Sequence, residues 1–168
     1  MSIASALMKA RIVQRGSFRL TGGGVSDFYI DVKSVYAQPK ILRMLARALA
    51  KLLPKQTTCI VVTGHGGIPL GVAVSLASGM PLTLVREQPK KHGRNTLLDG
   101  YVPTRGDRVA IIDDVFTTGG SIRRVETVIK RTGARVVGRL VVVNRSGKKL
   151  RTVRSLVQVQ ELLSATRA

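Results

Sequence analysis

The stretch from Val109 to Ser121 constrains this chain most. Four apolar residues, Val109-Ala110-Ile111-Ile112, run into two adjacent aspartates, Asp113-Asp114, and then into Val115-Phe116-Thr117-Thr118-Gly119-Gly120-Ser121. An apolar run without alternation suits a strand buried on both faces. Beyond the turn, Ile122, Val125 and Ile129 recur at helical spacing over about 119–132, and Gly133 is placed to cap the end. Three further apolar strands are predicted at Cys59–Thr63, Leu82–Val85 and Val136–Asn144, with a buried helix over Ile68–Ser78. Apolar strands alternating with helices predict an α/β fold, a parallel sheet covered by helices on both faces. In such sheets ligands bind beyond the carboxyl ends of the strands. Three polar clusters lie there: Gly64-His65-Gly66-Gly67, Asp113 to Ser121, and Asn144-Arg145.

The remaining segments are less regular. Ile3 to Gln14 has helical apolar spacing (Ile3, Leu7, Met8, Ile12) and ends before Gly16. Two extended pieces, Ser17–Leu20 and Phe28–Val32, flank the run Gly22-Gly23-Gly24 and read as a hairpin-like unit. Pro39 to Leu53 is an amphipathic helix with Arg43, Arg47 and Lys51 on one face and Leu42, Leu45, Leu49 and Leu52 on the other, stopped by Pro54. Residues 87–97 are polar, basic and unpatterned, which reads as a mobile loop. Ser155 to Leu163 adds a short strand and a turn of helix. A length of 168 residues fits one domain, 1–168. The apolar runs are far too short for a membrane span, no signal-peptide pattern opens the chain, and the lone Cys59 suits a reducing cytoplasm.

Charge bears on partners. The chain has 28 Lys plus Arg against 9 Asp plus Glu, a net charge of +19, which attracts anions of any kind. No zinc-finger spacing or basic motif interleaved with aromatics is visible, so nucleic acid is not the expected partner. The turn gives a sharper indication. Thr117, Thr118 and Ser121 offer hydroxyls to a phosphate, Gly119 and Gly120 let backbone N–H groups approach it, and the helix start favours negative charge. Asp113 and Asp114, themselves anionic, suit vicinal ribose hydroxyls or the water shell of a substrate-bound magnesium ion.

The segment Ile111 to Ser121 resembles the phosphoribosyl pyrophosphate (PRPP) signature of type I phosphoribosyltransferases. Within that family the likeness is strongest to the orotate phosphoribosyltransferases. It extends over Phe18-Arg19-Leu20-Thr21-Gly22-Gly23 with Ser26, Tyr29 and Asp31, over Arg86-Glu87-Gln88-Pro89-Lys90-Lys91-His92-Gly93, and over Leu140 to Arg145. The resemblance implies a small amino-terminal hood over about 1–36 and a mobile catalytic loop over about 87–97. It also implies PRPP contacts from Val115, Phe116, Thr117, Thr118, Gly119, Gly120 and Ser121, besides Asp113 and Asp114. Lys90 would be catalytic beside the two aspartates, and Arg86, Lys90 and His92 would meet the leaving pyrophosphate, where cations are needed as charge develops. Arg145 offers a fork that matches the orotate carboxylate, and the resemblance adds Thr117 to the orotate contacts. Magnesium held through water, with no direct protein ligand, and a homodimer whose loop reaches the neighbour's site are further implications.

Gly64 to Pro69 resembles the family's pyrophosphate loop, but some orotate enzymes carry lysine where this chain has Gly66, a second basic residue in place of Glu87, and serine in place of Gly22. Two alternatives stay open: transfer to another base, and a non-catalytic PRPP- or nucleotide-sensing regulator that binds nucleic acid through its charge.

Overall fold

The computed structural model describes residues 1–19, 23–89, 97–148 and 150–165. A helix α1 (Ile3–Lys9) leads into an antiparallel pair, β1 (Val13–Arg19) and β2 (Val25–Ile30), followed by a 3-10 turn (Val32–Ala37) and helix α2 (Pro39–Leu52). Then come β3 (Cys59–Thr63), α3 (Gly64–Ser78), β4 (Leu82–Val85), β5 (Leu98–Gly100), β6 (Arg108–Phe116), α4 (Gly120–Lys130), β7 (Arg135–Asn144), β8 (Arg154–Gln158) and α5 (Val159–Ala165). The six-stranded sheet has the order β5-β4-β3-β6-β7-β8. Every pairing in it is parallel except β4 with β5. The chain winds outward from β3 in one direction and from β6 in the other, so the topological switch point, where such sheets bind ligands, lies between these two strands.

Strand alternation divides the core in two. Ile60, Val62, Ala110, Ile112, Leu140 and Val142 pack with α1, α2, α3 and α5 on one face. Cys59, Val61, Val109, Ile111 and Val141 pack against Ile122, Val125 and Ile129 of α4 on the other. Each fully buried aliphatic side chain contributes about 1.5–3 kcal/mol, so the sheet-facing valines and isoleucines hold the layers together, with Phe28, Tyr36 and Phe116 packed at the margins.

Several expected boundaries move. The first helix stops at Lys9 rather than Gln14, because Arg11 turns into a left-handed conformation (φ 54) and Val13 opens β1. Ile12, which fits the helical spacing, is buried as the lead into that strand. Gly23 and Gly24 lead into β2 of an antiparallel pair, with Val13 opposite Ile30. Helix α3 begins at Gly64, four residues earlier than Ile68. β6 continues to Phe116 because β7 pairs with it as far as Asn144, which places the aspartates inside the strand. The edge strand β5 has too few residues, Leu98-Asp99-Gly100, to show any period, and it makes the sheet mixed rather than wholly parallel.

Helix α3 sits close on β3. A Cβ added at Gly71 would lie 2.3 Å from Cγ1 of Val62. Gly71→Ala is expected to lower stability by about 1–3 kcal/mol through overpacking, read as a lower urea midpoint. Val62→Ala in the same chain should recover part of the loss, and an unchanged midpoint in the single variant would contradict this packing.

Candidate active site

Alternation along β6 sends its two adjacent aspartates to opposite faces. Asp113 shares the side of Val109 and Ile111, and Asp114 shares that of Ala110 and Ile112. Asp113 is buried, 7% exposed. Its Oδ2 accepts from the Ser121 hydroxyl at 2.5 Å and its Oδ1 from the Asp114 N–H at 3.0 Å. Burial pushes the Asp113 carboxyl up, the Ser121 hydroxyl opposes that, and the Asp114 charge adds to the rise, bringing it to about 7. Asp114 is less buried, and its Oδ1 accepts from the Val115 N–H at 2.8 Å. Its carboxylate lies over α3: a Cβ added at Gly66 would stand 2.2 Å from Oδ2. No side chain fits at position 66 while Asp114 holds this place.

The turn after β6 is fixed from both ends. Gly119 is left-handed (φ 77), and a Cβ there would meet the Phe116 ring at 2.8 Å, so conformation and space both require glycine. Arg123 Nη1 donates to the Thr118 carbonyl at 2.6 Å. Thr117 and Thr118 are exposed just before the start of α4, whose first N–H groups have no partner within the helix, an arrangement suited to an anion. Ser121, expected to offer its hydroxyl to a phosphate, gives it to Asp113 in this structure.

The second element is the start of α3. Because the helix begins at Gly64, the glycine cluster forms its first turn, whose N–H groups have no partner within the helix. A cavity of about 320 Å³ lies there, lined by Gly64, His65, Ile68, Arg86, Glu87 and Asp99 among others. Arg86 is paired with Asp99, and Glu87 with Arg124, 3.4 Å from Nη2 to Oε1. Lys33 and Tyr36, not singled out from the sequence, approach from the 3-10 turn. Its three-residue repeat puts them on one side. The Tyr36 hydroxyl donates to the Gly66 carbonyl. Burial pushes the Tyr36 phenol up, and the charges of Asp114, Asp113 and Asp31 push the same way. Lys33 pairs with Asp31 at 3.0 Å. That bond raises its pKa most, burial opposes it, and Tyr29, Asp31 and Asp114 add smaller increases. The only advance sign of either residue is the spacing just after Asp31, too short to register as a helix.

The third element is a hollow of about 620 Å³ between β2, the turn after β6 and the end of β7, lined by Ser26, Phe28, Phe116, Thr117, Arg145 and Lys148 among others. The Arg145 N–H donates to the Phe116 carbonyl at 2.8 Å, continuing the β6–β7 ladder. Its Nη2 donates to Ser26 Oγ at 2.8 Å and to the Phe28 carbonyl at 3.4 Å, and Cζ lies 4.8 Å from the Phe28 ring centroid. Asn144, buried, donates to the Lys148 carbonyl at 2.8 Å and accepts from the Ser146 N–H at 3.0 Å, which shapes the exit from β7. The fold thus brings Asp113, Asp114, the 117–121 turn, Arg86 and Arg145 to one end of the sheet. Lys90, His92 and Gly22 lie outside the described residues.

Residues 31–165 match the phosphoribosyl transferase domain family. The chain belongs to the phosphoribosyltransferase family. It is 36% identical to an orotate phosphoribosyltransferase of Methanocorpusculum labreanum, over 96% of this chain and 98% of the relative. It is 35% identical to one of Pyrococcus abyssi, over 85% and 80%. The crystal structure of an orotate phosphoribosyltransferase from Aeropyrum pernix superposes with a TM-score of 0.76 at 29% identity, covering 98% of each chain. As in the phosphoribosyltransferase fold of these relatives, the sheet is mixed but mostly parallel and flanked by helices.

The state of Asp113 predicts a pH dependence. Its carboxyl rises from an ordinary 3.8 to about 7 on folding. The folded protein therefore holds this proton where the unfolded chain has lost it. The contribution is fully present below the unfolded value and is lost as pH rises through about 7. In metal-free buffer, the stability lost by the parent protein between pH 5 and pH 8 should shrink in Asp113→Asn, measured by urea unfolding. Equal losses in both proteins would remove Asp113 as the cause.

Proposed function

We propose that this phosphoribosyltransferase moves the 5-phosphoribosyl group of PRPP to orotate, forming orotidine 5′-phosphate and pyrophosphate in pyrimidine biosynthesis. The observation that carries this reading is the position of Arg145: its guanidinium lies over Phe28 in a hollow that also takes in Thr117, beside the phosphate-suited turn. A planar acid could be held there by its carboxylate, while Thr117 and Phe116 line the same hollow. The orotate phosphoribosyltransferases among its relatives support the choice of base.

In this reading the 117–121 turn binds the 5′-phosphate through its N–H groups and hydroxyls. Asp114, and Asp113 held by Ser121, face the ribose hydroxyls. N1 of orotate gives up its proton to solvent and forms a bond to C1 of the ribose as the bond from C1 to pyrophosphate breaks, with inversion. The first turn of α3, with Arg86, Lys90 and His92, meets the departing charge. Two carboxylates offering only oxygen fit magnesium, and the charge of Asp114 that raises Asp113 favours a cation beside the pair. When bound, magnesium would neutralise the diphosphate, with Asp113 and Asp114 facing its water shell. We further infer a homodimer working in the cytoplasm. No described helix is long and apolar enough to cross a membrane.

Pyrophosphate release is measured with PRPP and magnesium plus orotate, uracil, adenine or hypoxanthine in turn. Release with orotate alone is expected. Release with a purine alone sinks the reading, and no turnover together with salt-sensitive nucleic-acid binding favours a regulator. Arg145→Gln should raise KM for orotate by about tenfold or more, as loss of a charge-assisted pair does, while KM for PRPP stays near that of the parent. Equal shifts in both constants would mean that Arg145 does not hold the base.

A further inference from the structure

The cavity at the start of α3 is where a diphosphate would gather most charge, yet its glycine turn supplies backbone and a single side chain, His65. Position 66 cannot add a cation, because a Cβ there would meet Asp114 at 2.2 Å. Of the described cations, Arg86 lines the cavity and is tied to Asp99, Lys33 approaches from the 3-10 turn and is paired with Asp31, and Arg124 reaches across from α4 to Glu87 in the lining. Arg124 Nη2 lies 3.4 Å from Glu87 Oε1 and 3.5 Å from Oγ1 of Thr63, the residue just before the glycine turn. The same Glu87 oxygen is 3.8 Å from where a Gly64 Cβ would stand. The guanidinium therefore waits at the threshold of the α3 N-terminus. Both of its contacts are long, and the Arg124 and Glu87 side chains are 45% and 64% exposed, so this pair adds little to folding and is readily exchanged.

We propose that Arg124 is a diphosphate-binding residue of this site and that Glu87 is its competitor. Binding of the diphosphate would draw Arg124 from the carboxylate onto phosphate oxygens, which its fork matches better than a single-point ammonium does. This deepens the reading given above and rests on it. It also gives the anionic Glu87, out of place beside a pyrophosphate, a defined effect: it weakens binding by engaging the cation.

If Arg124 served only to clasp Glu87, removing either partner would have the same consequence. As a ligand and its competitor they must act in opposite directions. The probe is inorganic pyrophosphate with magnesium, titrated calorimetrically into the whole protein. Orotate turnover is followed on the same preparations. Glu87→Gln should tighten pyrophosphate by about threefold or more, and Arg124→Met should weaken it by about tenfold or more, the size expected for one charge-assisted contact. KM for PRPP should move with each, and KM for orotate should not. Arg124→Lys, which keeps the charge and loses the fork, should fall between. Both positions are exposed, and thermal midpoints near the parent's would confirm folding. Shifts in the same direction for Glu87→Gln and Arg124→Met, or no shift in Arg124→Met, overturn the assignment. Opposite pyrophosphate shifts in a protein that does not turn over orotate would uphold Arg124 and sink the reading of the reaction. Orotate turnover with unshifted variants would do the reverse.

Discussion

The hydrogen bond from Ser121 to Asp113 joins the last residues of β6 to the first turn of α4, and the geometry between them follows from it. Asp113 is buried, so its carboxylate must find donors, and the nearest hydroxyl is eight residues along the chain. Closing that short span forces the intervening turn through a left-handed Gly119. The start of α4 thereby follows directly on the exposed Thr117 and Thr118. Asp114, on the opposite face of β6, cannot share this bond and occupies the space over Gly66 instead. One buried acceptor thus shapes the turn after β6 and leaves its neighbour on the side of α3.

The elements that carry this arrangement were legible because their signals are local. Val109 to Ile112, Cys59 to Thr63 and Leu82 to Val85 are strands as their apolar runs predict, and the hydroxyl- and glycine-rich turn lies where the sequence puts it. What was not legible depends on partners distant in sequence. β6 extends through the aspartates because β7 pairs with it, and no periodicity in 113–116 reports that. Tyr36 reaches the start of α3 through a carbonyl thirty residues on, and Arg124 meets a glutamate thirty-seven residues back. Neither residue differs, in its own neighbourhood, from an ordinary surface side chain.

The large positive charge also takes on a different meaning once the acids are located. Several of the few carboxylates are committed to particular partners: Asp31 to Lys33, Asp99 to Arg86, Glu87 to Arg124, and Glu126 to Arg139. Asp107 accepts from Thr58, Tyr101 and Thr104 at the opposite end of β6. The acids therefore act as local clamps on particular cations, two of them beside the α3 cavity, and leave the overall field positive. An approaching anion is attracted by the molecule as a whole and meets restraint only where it would bind.

The contact of Arg145 with Ser26 links residues 119 positions apart, whereas the turn after β6 closes within eight. The two halves of the site thus differ in the order in which a folding chain can complete them, since distant closures cost more entropy and come later. They also differ in local stability. Fraying of the β1–β2 hairpin would open the hollow around Arg145 while leaving the turn at the end of the central sheet intact. On the proposed assignment of these two hollows, retention of the sugar phosphate and discrimination among bases rest on separate folding units, and mild denaturing stress erodes selectivity before it releases the phosphate.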